Sequence, residues 1–164
     1  MNMRISTRQL TRGALIAALY TAISLMLAPI SMGMEGIDLR IAEAFTLLPV
    51  LLPEAVPAVF VGCVLTNLLA GGAMPDIILG SLATLIAALC TRKLRGKSPL
   101  IAALPPVVLN LLIVGPMVHY LYTPTIPLPL CMLSVGAGQA ISCYALGLPL
   151  LAAVRRLPER LLRS

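Results

Sequence analysis

Long apolar runs, interrupted by prolines and short polar clusters, organise this chain. They divide it into six candidate spans, at about 12–31, 38–52, 54–71, 75–91, 99–117 and 130–154. Proline marks most of the joints. Ser98-Pro99 reads as a helix start, a capping hydroxyl followed by a ring with no N–H to leave unpaired. Pro53-Glu54 reads the same way, with the Glu54 carboxylate in a structural role beside the positive end of the next helix.

Composition turns these runs into membrane helices. Of 164 residues, 59% are hydrophobic and 11% charged, and the mean hydropathy is +0.99. Soluble domains have about 45–50% apolar and about 25% charged residues. A spanning helix takes about 20 apolar residues, so six short spans use nearly the whole chain. The expected architecture is one all-α integral membrane domain over residues 1–164, a six-helix bundle with no room for a soluble catalytic unit. The basic, then apolar, N-terminal segment is too long for a signal-peptide core and reads as a retained first span. Cys63, Cys90, Cys131 and Cys143 are isolated and read as small packing residues, with no paired spacing for metal or redox chemistry.

The net charge of +6 is a topology signal. Arg4, Arg8 and Arg12 precede the first span, Arg92, Lys93, Arg95 and Lys97 fill the loop after the fourth, and Arg155, Arg156, Arg160 and Arg163 follow the last. Six spans put all of these on one side, which the positive-inside rule makes cytoplasmic, with both termini. Loop 118–129 is then external. No basic stripe is interleaved with aromatics, so nucleic-acid binding is not expected.

Against this background the stretch "GIDLRIAEAFTLLP", residues 36–49, stands out. Asp38, Arg40 and Glu43 follow Glu35 into a span, and an ionisable group in a membrane costs at least about 2.5–3.5 kcal/mol unless it is paired or serves a substrate path. Counting about 1.5 Å per residue puts Glu43, Asn67, Ser81, Thr84 and Asn110 in the outer halves of their spans, and Gln139 and Ser142 near the midplane. The inner halves are almost without hydrogen-bonding side chains. The pattern predicts an outward-facing polar pocket closed below by an apolar plug.

Each group also has a plainer reading. Arg40 and Glu43, three apart, can neutralise each other on one helical face. Asp38 or Asp76 can cap helix starts, and Asn67, Ser81 and Asn110 can join helices by hydrogen bonds. His119 reads as a solvated loop residue, having no second ligand at metal spacing, and Tyr120 and Tyr122 can be interfacial anchors. On the first span Ala14, Ala18 and Ala22, with Gly13 and Ala17 alongside, form a small-residue stripe that serves either internal packing or docking of another membrane helix. No G-x-S-x-G, H-E-x-x-H or Walker A sequence is present, so neither an enzyme nor an ATPase is expected, and any ATP use falls to partners.

The segments "LRIAEAFTLLPVLLPEAVPAVFVGCVLTNLLAG", "DIILGSLATLIAAL", "LPPVVLNLLIVG" and "GAGQAISCYALGLPLL" together resemble the QueT family. These are membrane-embedded substrate-binding (S) components of energy-coupling factor transporters, assigned to queuosine precursors. The resemblance implies a six-helix S component that binds a 7-deazaguanine-type precursor from outside. Its implied partners are a transmembrane coupling protein and two ATPase subunits, and no cofactor. Ala14, Ala18 and Ala22 match the docking pattern of the first helix, and Arg40 and Glu43 match the family's R-x-x-E element. The chain departs from expectation at Gln139, where an acidic residue would stand. Glu43 is the leading candidate for the guanine edge or an aminomethyl cation. Arg40 would hold that carboxylate in the empty site, Asn110 and Gln139 would read the remaining ring atoms, and Tyr120, Tyr122 or Phe45 would stack on the base. An S component for another vitamin and a stand-alone small-solute carrier are the alternatives.

Overall fold

A computed structural model describes residues 6–33 and 40–158, with side chains over 6–27 and 40–158. Glu35, Asp38, Arg4, Arg160 and Arg163 lie outside the described residues or side chains. Six helical rods account for most of the rest: Thr7–Gly33, Ile41–Val50, Ala55–Leu69, residues 76–93, Pro99–Leu121 and Leu128–Arg155. Among the described residues there is no strand. Thr7–Leu27, Pro99–Leu121 and Leu128–Arg155 are long and apolar enough to cross a membrane, and Ile41–Val50 and Ala55–Leu69 are shorter apolar helices.

Neighbouring rods run in opposite directions, as contacts at the two ends of the bundle show. At one end Arg12 Nε of the first rod meets Glu54 Oε1 at the start of the third, 2.9 Å apart. There too, Arg92 Nη1 donates to Pro49 O and Val50 O at 3.0 and 3.2 Å, and Thr91 Oγ1 donates to Ala102 O at 3.0 Å. The described basic residues of both termini and of the 92–97 loop gather at this end. At the other end the Tyr122 hydroxyl donates to Asp76 Oδ2 at 3.1 Å and accepts from Ala73 N at 3.2 Å, tying the end of the fifth rod to the start of the fourth.

Burial is inverted relative to a soluble bundle. Leu10, Leu15, Leu65, Leu68, Leu112 and Leu133 are exposed, whereas Glu43, Thr46, Thr84, Asn110, Gln139 and Ser142 are buried. Apolar side chains on the outside suit hydrocarbon, and polar ones inside find partners that lipid cannot offer.

The second rod is the axis of the bundle. It packs against the first, third, fourth and sixth rods and the start of the fifth. Eight of its ten residues are buried: Ala42, Glu43, Ala44, Thr46, Leu47, Leu48, Pro49 and Val50. The sequence predicts an α-helix here, but the rod is 3-10 throughout. Pro49 has no N–H to give, and the Thr46 hydroxyl takes up Glu43 O at 2.6 Å. Runs of 3-10 beyond three or four residues are uncommon, so packing must hold this one. A Cβ on Gly147 of the sixth rod would fall 2.5 Å from Leu47 Cδ1 and 3.1 Å from Ala44 O, so backbone rests directly on the second rod.

Several expected caps are made differently. Ser98 is the N-cap before Pro99, but its hydroxyl makes no cap bond; its carbonyl accepts Ile101 N and Ala102 N. Glu54 precedes the third rod without capping it, because its carboxylate turns to Arg12. The fourth rod is already helical at Met74 and Pro75, and Asp76 N and Ile77 N donate to Ala73 O at 2.9 and 3.1 Å, so Asp76 lies inside the helix and its carboxylate is taken by Tyr122. His119 lies in the last helical turn of the fifth rod, half-buried, and not in a loop.

Candidate functional site

Glu43 points into the centre of the bundle with 0% of its surface exposed. Tyr20 Oη of the first rod donates to Glu43 Oε1 at 2.6 Å, and Gln139 Nε2 of the sixth donates to Oε2 at 3.5 Å. Gln139 Nε2 also reaches Cys143 Sγ at 3.4 Å, and Thr46 Oγ1 lies 3.7 Å from the same sulfur. In a 3-10 rod residues three apart eclipse, which stacks Thr46 directly below Glu43 along the sixth rod. Both of these donors are uncharged side chains.

Toward the basic end the rod continues into apolar packing. Leu47 meets Ala103 and Cys143, and Val50 meets Ala102 and Leu151. Small and branched side chains of the second, fifth and sixth rods pack together there. The polar groups beyond it, Thr91, Arg92, Arg12 and Glu54, are tied to one another or to backbone carbonyls.

Three rods leave regular α geometry beside their polar residues. Asp76–Gly80, Asn110–Val114 and Ile141–Gly147 are π-helical turns, a feature often found at functional sites. Asn110 lies at the head of one, fully buried, with Nδ2 donating to Pro106 O at 2.9 Å. Asn110 Oδ1 and the Ser81 hydroxyl have no hydrogen-bond partner among the described residues. A buried orphan of this kind costs about 1–3 kcal/mol until water or a ligand meets it.

The structure therefore brings Glu43 and Gln139 within hydrogen-bonding distance, whereas Phe45 packs by Tyr20, with ring centroids 6.5 Å apart. Arg40, half-buried, heads the second rod, its carbonyl accepting Glu43 N at 2.9 Å. The remaining aromatics lie elsewhere. Tyr120 is 71% exposed and packs edge-on against His119, with centroids 4.9 Å apart. Tyr122 is engaged with Ala73 and Asp76; partial burial and the Asp76 charge push its phenol above the ordinary value, while the Ala73 N–H pulls it down. Tyr20 was not expected from the sequence. Its signal was the phenol itself, an aromatic hydroxyl in an otherwise aliphatic span.

The small residues of the first rod divide into two faces. Ala17, with Ile16, Tyr20 and Thr21, is buried, and Gly13 would carry its Cβ 3.6 Å from Glu54 O. Ala14, Ala18 and Ala22 are exposed, flanked by exposed Leu15, Leu19 and Met26. Separately, a groove of about 240 Å³ lies between the third and fourth rods, lined by Phe60, Val64, Ile77, Ile78, Ser81 and Leu82. None of the predicted binding residues lines it.

No curated protein and no solved structure matches the chain. A family model described as QueT transporter matches residues 10–156, nearly its whole length. With this match, and with an apolar helical exterior that agrees with it, the chain belongs to the QueT transporter family, a membrane transporter built of helices.

Proposed function

We propose that the chain is the substrate-binding component of an energy-coupling factor importer. It takes a 7-deazaguanine-type queuosine precursor from outside and passes it on through a transmembrane coupling protein driven by two ATPase subunits. In this reading the basic end of the bundle is cytoplasmic, and the Tyr122–Asp76 end faces out.

The observation that carries the ligand assignment is Glu43, fully buried and hydrogen-bonded by two uncharged donors. A carboxylate has about four lone-pair sites, of which Tyr20 and Gln139 account for one on each oxygen. A guanine-like edge offers a ring N–H beside an exocyclic amino group, a bidentate match to a carboxylate, and an aminomethyl substituent adds a cation. Arg40, Asn110, Gln139 and Phe45 complete the proposed site, with the unmet Asn110 Oδ1 as acceptor for a further ring N–H. Tyr120 and Tyr122 belong to its outer rim. The exposed Ala14, Ala18 and Ala22 stripe supports coupling, since a close-packing surface without an internal partner suits another membrane helix.

Calorimetry of the purified protein with queuine, the aminomethyl and cyano deazaguanine precursors, guanine and thiamine tests the reading. A deazaguanine should bind most tightly. Preference for thiamine would move the assignment to another vitamin, and uptake in cells without coupling subunits would make the protein a stand-alone carrier.

A further inference from the structure

Tyr20 makes a shorter hydrogen bond to the Glu43 carboxylate than Gln139 does, 2.6 Å against 3.5 Å. Its phenol has almost no freedom. The residue is 1% exposed, and a Cβ on Gly62 of the third rod would fall 2.9 Å from Tyr20 Cβ and 3.0 Å from Cγ and Cδ1. The next residue, Thr21, donates to Gly62 O at 3.2 Å, fixing the same crossing by a second contact. Oε1 of Glu43 is thereby held against two packed rods. Oε2 is held more loosely, by an amide that also serves Cys143 Sγ at 3.4 Å.

We infer that Tyr20 is a positioning residue of the ligand site, whose hydroxyl fixes the Glu43 carboxylate so that its Oε2 side receives the donor group of the ligand. The inference rests on Glu43 being the ligand carboxylate. It also narrows the ligand class. The long Gln139 contact is the one that a stronger donor can replace or join, and a carboxylate, which only accepts, favours a cation or paired N–H donors over an acceptor. Phenylalanine at this position would keep the ring on Gly62 and leave the carboxylate free to rotate.

The test is a double-mutant cycle on the full-length protein in detergent, with the aminomethyl deazaguanine as probe and calorimetry as readout. Tyr20→Phe should weaken binding about tenfold, the loss of one hydrogen bond to a charged group. Glu43→Gln should weaken it as well, and adding Tyr20→Phe to Glu43→Gln should cost nothing more. Placing 4-aminophenylalanine at position 20, which returns an N–H donor to the same place, should restore affinity; it also carries the test if Tyr20→Phe fails to accumulate. Three outcomes overturn the inference while leaving the ligand assignment intact: undiminished binding by Tyr20→Phe, additive losses in the double variant, or no rescue by the amino analogue in folded protein. Failure of the unmodified protein to bind any of the deazaguanines overturns the ligand assignment and this inference with it.

Discussion

Gly62 and Tyr20 meet with no space between them, a Cβ on the glycine falling 2.9 Å from the tyrosine Cβ. The atom it would strike is fixed to the backbone of the first rod, so the two rods must separate to admit a methyl group. Gly62→Ala should lower stability by about 1–3 kcal/mol, the usual cost of overpacking, read as a lower midpoint of thermal unfolding in detergent. An unchanged midpoint would mean that the crossing can open freely.

Arg92 should matter more than a surface arginine. Its guanidinium satisfies Pro49 O and Val50 O at the foot of the second rod, carbonyls that a helix end otherwise leaves without partners. Arg92→Met keeps the stem and removes both bonds. The expected loss is about 1–3 kcal/mol, with faster hydrogen exchange at the end of the rod. Since the single nitrogen Nη1 makes both bonds, lysine, whose ammonium carries three donors, should restore part of it.

Replacing Glu43 by glutamine preserves shape while exchanging a charged acceptor for a neutral amide. Binding of the deazaguanine probe should weaken by about 1.5–3 kcal/mol, the worth of a hydrogen bond to a charged group, with folded yield maintained. Undiminished affinity in a well-folded variant would return Glu43 to a structural role between the first, second and sixth rods.

Because Ala14 and Ala18 face outward, tryptophan at either position should leave solitary ligand binding nearly intact. Uptake by cells and co-purification with the coupling protein should both be lost. A variant that loses ligand binding together with uptake would show that the face packs within the chain.

Orientation can be read by labelling single cysteines at positions 97 and 125 in a background without native thiols. A membrane-impermeant reagent applied to intact cells should reach position 125 and not 97. The reverse pattern would turn the basic end outward and invert the proposed entry side.

Much of this architecture was legible because prolines and buried charge are strong signals. Pro53, Pro75, Pro99 and Pro127 stand at or next to the rod starts, and the buried polar residues lie within the apolar spans that the sequence marked. The 3-10 path of the second rod was not legible. Spacing of three suits either helix over ten residues, and enclosure by five other rods decided between them. The π turns were equally silent, since one extra residue per turn leaves no trace in an apolar run. Tyr20 was overlooked because its ring fits the hydrophobic pattern and only the fold reveals what its hydroxyl reaches. Tyr122 read as an interfacial ring until Ala73 and Asp76 were found across the loop, 49 and 46 residues away in sequence.

The tight winding of the second rod has an electrical consequence. Ten residues at about 2.0 Å each give roughly 20 Å, against about 30 Å of hydrocarbon. Anchored by Arg92 at the basic end, the rod stops about 10 Å short of the opposite face. In the proposed orientation the packed Leu47, Val50, Ala102 and Leu151 layer lies on the cytoplasmic side of Glu43. A cation captured at Glu43 from outside would have crossed only the part of the field above this layer, so its capture should depend less on membrane potential than its onward passage. That passage would be driven by the remainder, up to about 2.3 kcal/mol per charge for each 100 mV.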